Sequence, residues 1–325
     1  MSCSHKALSH KALMQRREML AASAAALIPS ACSRAPRPPS GVSISQLPGY
    51  TQDVYDAVRR IFRMHSQAGS LNLAGKRVVV KPNLVEFDKS TCVNTHPLVV
   101  HAVYEAAKSM GAADVRIAEG PGHRRTTMDL AEAAGYFDTV AKFEDRFTDL
   151  NLDDVSLRKI SSPASRLNEI YLPNTILGAD LVISVPKMKT HHWVGATLSM
   201  KNFFGVVPGA VYGWPKNVLH WAGIDECIMD LHGLVPRTFA VVDGIMAMEG
   251  NGPIQGTPKH AGVLVAGSDL PSVDTTCCRI MGIDPSQIVY IAKTQSGAIE
   301  QLGEPISKVQ TNFRLLPEFS HLRKA

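Results

Sequence analysis

Leu181-Val182-Ile183-Ser184-Val185-Pro186-Lys187-Met188-Lys189-Thr190-His191 is an apolar, mostly β-branched run that turns abruptly into lysines and a histidine. A short run of this kind suits a strand buried on both faces, as in a parallel sheet. In open sheets of parallel strands, ligands bind in the crevice beyond the strands' carboxyl ends. The run over residues 181–185 therefore reads as core, and the residues after it as the rim of a site. Lys187, Lys189 and His191 alternate, and extended backbone puts alternate side chains on one side, so they predict a single cationic wall.

Working outward, the same succession recurs. Strands are predicted over residues 78–80, 114–118, 239–242 and 261–266. The first leads into Lys81-Pro82-Asn83, the second into Glu119-Gly120-Pro121-Gly122 and the third into Asp243-Gly244. Helical spacing of Val54, Val58, Ile61 and Phe62 predicts a helix over 50–66. Another is predicted over 97–110, opened by Thr95 and Pro97 and stopped by Gly111. Thr126 with Asp129 resembles a capping box for a helix ending near Gly135. Further helices are predicted over 218–231, 270–281 and 285–297. Alternating strands and helices with short links predict an α/β fold: a mostly parallel sheet with helices on both faces. The three tryptophans, Trp193, Trp214 and Trp221, fall with Phe203, Phe204, Tyr212 and the regularly spaced Gly205, Gly209 and Gly213 in one insertion, about residues 190–221. It reads as a mobile aromatic flap over the crevice or as a small packed subdomain.

The formal charge of +5 does not point to nucleic acid. Lys6, Lys11, Arg16, Arg17 and Arg34 against Glu18 put +4 of it into the first 35 residues, leaving +1 for the rest. Arg16-Arg17-Glu18-Met19-Leu20 runs into an apolar stretch, residues 21–28, too short to span a bilayer. The pattern resembles a twin-arginine export signal, which implies the export machinery as a partner and a periplasmic or other extracytoplasmic location. Cys32 after Pro29-Ser30-Ala31 half matches a lipoprotein cleavage box, so a lipid on Cys32 is the one membrane attachment kept as an alternative. Two Ser-His-Lys-Ala-Leu copies precede Met14, an alternative start. Residues 1–40 are thus read as leader and linker, and 41–325 as one α/β domain. The six cysteines contain no pair with the two-residue gap of a zinc or iron–sulfur loop. Cys277 and Cys278 fall inside a predicted helix, where burial explains them.

The candidate site follows from the strand ends. Lys81, Lys187, Lys189 and Lys201, with Asn83 and Asn202, are expected to hold a carboxylate or phosphate. His191, His96, Glu119 and Asp243 are expected to move protons, with His220, Glu249 and Asp274 nearby. The same acids and histidines are alternatively metal ligands. Gly250-Asn251-Gly252-Pro253 either brings backbone close to a ligand or only turns the chain. Neither a Walker sequence nor Gly-x-Gly-x-x-Gly follows a strand, which removes the usual support for nucleotide triphosphates and dinucleotides.

These stretches resemble the large family known as domain of unknown function 362 (DUF362). The matching pieces are Lys81-Pro82-Asn83-Leu84, Thr95-His96-Pro97, Glu119-Gly120-Pro121-Gly122, the Val185 to His191 block, Ser199-Met200-Lys201-Asn202-Phe203-Phe204-Gly205, and Asp243-Gly244 through Pro253. They span roughly residues 76–285. The resemblance implies no settled activity. Some relatives append a ferredoxin-like domain, whose cysteines are missing here, so an intrinsic iron–sulfur cluster is not expected. A remoter similarity to the nickel-pincer lactate racemases, with lysine and histidine as acid and base, has no establishing motif in the chain. The expected function is an exported enzyme acting on an anionic small molecule. The alternative is a non-catalytic extracytoplasmic protein that binds a metabolite, metal or cofactor; the cofactor is left open, a metal being one candidate.

Overall fold

The computed structural model describes residues 39–122, 126–295 and 297–323. The leader, with its twin arginines and Cys32, lies outside them.

Val78 and Val80 face one side of the sheet and Val79 the other, the two-residue period that extended backbone imposes. The first two join a core with Val54, Ile61, Val99, Val103 and Phe239, and Val79 joins a second core with Val182, Val242, Ile228 and Val273. One sheet is thus buried on both faces. Its strands are β1 (Ser40–Gln46), β2 (Arg77–Pro82), β3 (Asp114–Glu119), β4 (Phe147–Asp149), β7 (Leu181–Val185), β8 (Lys187–His191), β9 (Gly195–Thr197), β10 (Thr238–Glu249), β11 (Thr257–Gly267) and β12 (Ile299–Gly303). A separate antiparallel pair, β5 (Val155–Lys159) and β6 (Glu169–Pro173), stands apart. The order across the main sheet is β12-β1-β11-β10-β7-β2-β3-β4, with β8 added beside β10 and β9 beside β8. From β10 to β4 the neighbours are parallel, as predicted. β11 is antiparallel to both β10 and β1.

Helices α1 (Asp53–Gln67) and α2 (Pro97–Ser109) cover one face. The other carries α3 (Ile224–Leu234), α4 (Leu270–Met281) and α5 (Val289–Thr294). Their ends follow local chemistry. α4 opens on Asp269, which accepts from Ser272 N, and closes on left-handed Gly282. α2 opens on His96, whose Nδ1 accepts from Leu98 N at 3.2 Å, with Pro97 in the first turn. The helix predicted over 218–231 breaks because Gly223 sits at φ 108°, leaving one turn (Val218–Trp221) before α3. Thr126 precedes its helix, Thr127–Ala133, without a side-chain cap bond.

Besides β8, read only as extended rim, six strands among the described residues escape the apolar-run reading: β1, β4, β5, β6, β9 and β12. β1 begins at the edge of the predicted linker, where only Val42 and Ile44 alternate into the core. β9 and β12 are short and have no apolar run. Within the aromatic insertion, Leu198, Met200, Phe203, Val206 and Val207 join the core that Val79 and Val182 enter, while Trp193 and Trp221 remain 59% and 75% exposed.

Candidate functional site

Parallel pairing of β2 with β3 brings Lys81 and Glu119 to adjacent strand ends, one register step apart. Both side chains are buried, and Lys81 Nζ donates to the two Glu119 oxygens at 2.9 and 2.8 Å. Glu119 also accepts from Leu84 N (3.1 Å) and Gly120 N (2.8 Å), so its charge is saturated by donors from both strand ends. Lys81 Nζ further reaches Pro82 O (3.0 Å) and Asn202 Oδ1 (3.3 Å). Burial lowers the Lys81 pKa against the opposing pull of Glu119. Gly205 backs this pair so closely that any Cβ there would collide with Glu119 and Lys81 Nζ, which accounts for glycine at that position.

The turn Ser199-Met200-Lys201-Asn202 is pinned from two directions. Asn202 Nδ2 donates to Lys81 O (3.1 Å) and Ser184 Oγ (3.0 Å). Asp274, from the buried face of α4, accepts from Ser199 Oγ (2.5 Å), Ser199 N (2.8 Å) and Met200 N (3.1 Å). Burial raises the Asp274 carboxyl to about 7, although these donors oppose the rise. The turn delivers Lys201, whose Nζ lies 3.8 Å from the centre of the Phe204 ring.

Lys81, Lys201 and Glu119 open onto a cavity of about 310 Å³, whose other walls include Lys189, Lys216, His191 and His220. Lys189 donates to Val93 O (3.0 Å) and Pro253 O (3.3 Å). Lys216 donates to Gly120 O and, at 3.4 Å, to Gly205 O. Burial pushes Lys189, Lys201 and Lys216 each down to about 7. Burial and the nearby Lys201 hold His191 well below its usual range and lower His220 as well. Three buried polar atoms without a partner line the same cavity: Asn83 Oδ1, Thr197 Oγ1 and His220 Nδ1. Buried polar atoms are nearly always paired, so three in one cavity single it out as the candidate site. Leu84, Trp193, Phe204, Leu219 and Ile254 supply apolar wall.

Residues 78–279 match the family model described as Domain of unknown function (DUF362). The chain belongs to this family. Among curated proteins, it is similar to the Thylakoid-associated protein sll1697 of Synechocystis sp., with 29% identity over 257 residues, 76% of this chain and 74% of that protein. Among solved structures, it is similar to the lactate racemase apoprotein from Thermoanaerobacterium thermosaccharolyticum, with a TM-score of 0.44 and 13% identity over 77% of this chain and 57% of the other. A Thermotoga maritima protein aligns with a TM-score of 0.39 and 13% identity, covering 72% of this chain and 59% of its own. The chain thus spans less than two thirds of each solved structure.

In this DUF362 chain the residues singled out in the sequence fall into two groups. Lys81, Asn83, Glu119, Lys189, His191, Lys201 and Asn202 line the cavity together. Lys187, Asp243 and His96 do not: they form a separate cluster with Tyr50, in which Lys187 and Asp243 are buried and His96 and Tyr50 half-buried. Lys187 Nζ donates to Asp243 Oδ2 (2.6 Å) and Tyr50 Oη (2.9 Å), and Tyr50 Oη donates to Asp243 Oδ1 (2.9 Å). His96 N donates to Asp243 Oδ2 at 3.0 Å, while its ring stacks on Tyr50 with centroids 3.7 Å apart. Burial drops the His96 pKa to about 4, a neutral ring suited to capping α2. Lys187, His96 and Tyr50 line a smaller cavity of about 190 Å³. The predicted wall of Lys187, Lys189 and His191 divides because β8 does not keep register with β10. Lys187 stands opposite Asp243 and Lys189 opposite Met248, so two steps on one strand meet five on the other.

Glu249 is spent on Arg314 N (2.8 Å) and Lys259 (3.9 Å). Gly250-Asn251-Gly252-Pro253 holds the far end of β8: Gly252 O accepts from His192 N at 3.0 Å, and a Cβ on Gly252 would strike the Thr190 carbonyl. Sequence reasoning passed over Lys216 and Thr197, which sit in the aromatic insertion where no periodicity marks them. Their one signal was membership of that insertion. Among the described residues, no three His, Cys, Asp or Glu side chains are grouped to hold a metal ion.

Proposed function

We propose that this chain takes up a small anion, a carboxylate or phosphate, in the lysine-lined cavity and acts on it as an enzyme. The carrying observation is the composition of that cavity: four buried lysines face one carboxylate, Glu119, beside three unpartnered polar atoms. Such an excess of cationic donors is complementary to an anion and to little else. His191 and His220, both depressed by burial, are neutral near pH 7, the form in which an imidazole can act as a base. The same reading assigns the chain to the extracytoplasmic side, delivered by twin-arginine export through Arg16 and Arg17. The thylakoid association named for the Synechocystis relative supports a membrane-bounded destination.

Thermal melting in the presence of carboxylates and inorganic phosphate tests the binding. A fitting anion at about 100 times its Kd adds about 2.7 kcal/mol, which is roughly 5–10 °C for a chain of this size. Lys189→Met is expected to remove most of that shift. Equal shifts in wild type and Lys189→Met, or none with any anion, would sink the reading.

A further inference from the structure

Three of the four cavity lysines are fixed as donors. Lys81 Nζ is held by Glu119, Pro82 O and Asn202, Lys189 Nζ by Val93 O and Pro253 O, and Lys216 Nζ by Gly120 O and Gly205 O. A lysine nitrogen engaged with carbonyl or carboxylate oxygens has its N–H groups committed to them, whether or not it carries the third proton. Lys201 is built differently. Among the described residues it has no hydrogen-bond acceptor, only the Phe204 ring against its Nζ. It is 93% buried by its 7% residual exposure, yet it lines the cavity. Only the Phe204 ring and the longer-range pull of Asp225 and Cys227 favour a proton on this nitrogen, and no carbonyl or carboxylate oxygen claims its N–H groups.

We propose that Lys201 is a nucleophile that forms an imine with the carbonyl carbon of a small oxo acid bound in this cavity. The inference rests on the anion-binding reading and narrows it to carboxylates that carry an aldehyde or ketone. Lys189 and Lys216, held in place by backbone carbonyls, supply the positive field for the carboxylate as its binding re-protonates them. Lys201 supplies the amine. The cavity, about 310 Å³, matches roughly ten water volumes of about 30 Å³ each, which suits an acid of a few carbons rather than a nucleotide. Apolar side chains of Leu84, Phe204, Leu219 and Ile254 accept its carbon chain.

In the step itself, the Lys201 nitrogen lone pair forms a bond to the carbonyl carbon and the carbonyl π pair moves onto oxygen. Both hydrogens of the neutral amine leave with that oxygen as one water molecule, and a carbon–nitrogen double bond remains. No oxidant, reductant or further reactant is consumed. Proton movement between nitrogen and oxygen needs a relay. His191 and His220 are the imidazoles whose charged forms Lys201 disfavours, which places both within its electrostatic reach. Burial depresses Lys201 to about 7, as it does Lys189 and Lys216, so a large share of each is unprotonated at neutral pH; what sets Lys201 apart is its lack of acceptors.

Reductive trapping decides the matter. The purified chain is incubated with pyruvate and sodium cyanoborohydride, and the modified lysine is located by peptide mapping and mass spectrometry. Labelling is expected at Lys201, about tenfold or more above surface lysines, with acetone, which lacks the carboxylate, showing no such preference. Lys201→Arg is expected to lose the selective adduct and Lys189→Met to slow it. Label spread evenly over surface lysines, or equal site preference with acetone, would overturn the proposal. A pyruvate-induced rise in melting temperature without an adduct would refute the nucleophile and leave anion binding standing; neither effect would refute both for this class of acid. The wild-type labelling pattern is informative whether or not the variants fold.

Discussion

Replacing Glu119 by Gln removes the one negative charge in the lysine-lined cavity while keeping the side chain's shape. In the wild type this carboxylate takes four hydrogen bonds, two from Lys81 Nζ and one each from Leu84 N and Gly120 N. The amide nitrogen of Gln turns a donor toward at least one of these donors. Lys81, fully buried, is then left charged without a counter-charge or gives up its proton. Breaking a buried pair from one side costs about 3–5 kcal/mol, or a fall of roughly 6–20 °C in Tm for a chain of this size. Urea denaturation of Glu119→Gln, Lys81→Met and the double variant measures it as a cycle. The double variant is expected to recover much of the loss, because an apolar replacement for both partners leaves no orphaned charge. Added anion is expected to harm Glu119→Gln less than its absence, since the ligand supplies the missing charge. If Glu119→Gln unfolds within about 1 kcal/mol of wild type, or the two single losses simply add, the pair is not the buried keystone described above.

The pH dependence has a definite sign. Lys189, Lys201 and Lys216 titrate at about 7 in the folded protein instead of the usual 10.5, so between those values the unfolded chain holds protons that the folded one has lost. Stability of the ligand-free protein therefore rises with pH across that window, by up to about 1.4 kcal/mol per pH unit for each lysine; a urea midpoint that stays flat or falls from neutral to mildly alkaline pH contradicts it. Anion affinity runs the other way, because binding must re-protonate the lysines. Calorimetry in buffers of different ionisation enthalpy is expected to register proton uptake at alkaline pH, and proton release would be inconsistent with the site. Asp274→Asn removes a carboxylate that holds three donors of the Lys201 turn; a loss of about 1–3 kcal/mol is expected, together with slower pyruvate trapping at Lys201. Unchanged trapping in a folded Asp274→Asn protein would show that Asp274 supports the core without positioning the lysine.

The α/β architecture and the convergence of half of the candidate residues on one rim were legible in the residues alone, for a local reason. Residues 181–185 are buried along their whole length, so their apolar run is continuous, and the structure returns the same bounds for β7. Lys81 and Glu119 each follow such a run, and parallel pairing carries neighbouring strand ends to one rim, which is why the sequence places both there; their ion pair across 38 residues is a finding of the structure. Lys201 and Asn202 stood out through a motif, without any statement of what they touch.

What the tertiary structure alone decided depends on contacts between segments with no shared period. Lys187 and Lys189 alternate on one strand, yet the slip of β8 against β10 gives the first to Asp243 and Tyr50 and the second to the cavity. Lys216 reaches the Gly120 carbonyl from 96 residues away, out of an irregular stretch in which neither helix nor strand spacing marks it. Local order is written in spacing along the chain; register, orphaned polar atoms and the balance of charge in a closed space exist only once distant segments have packed.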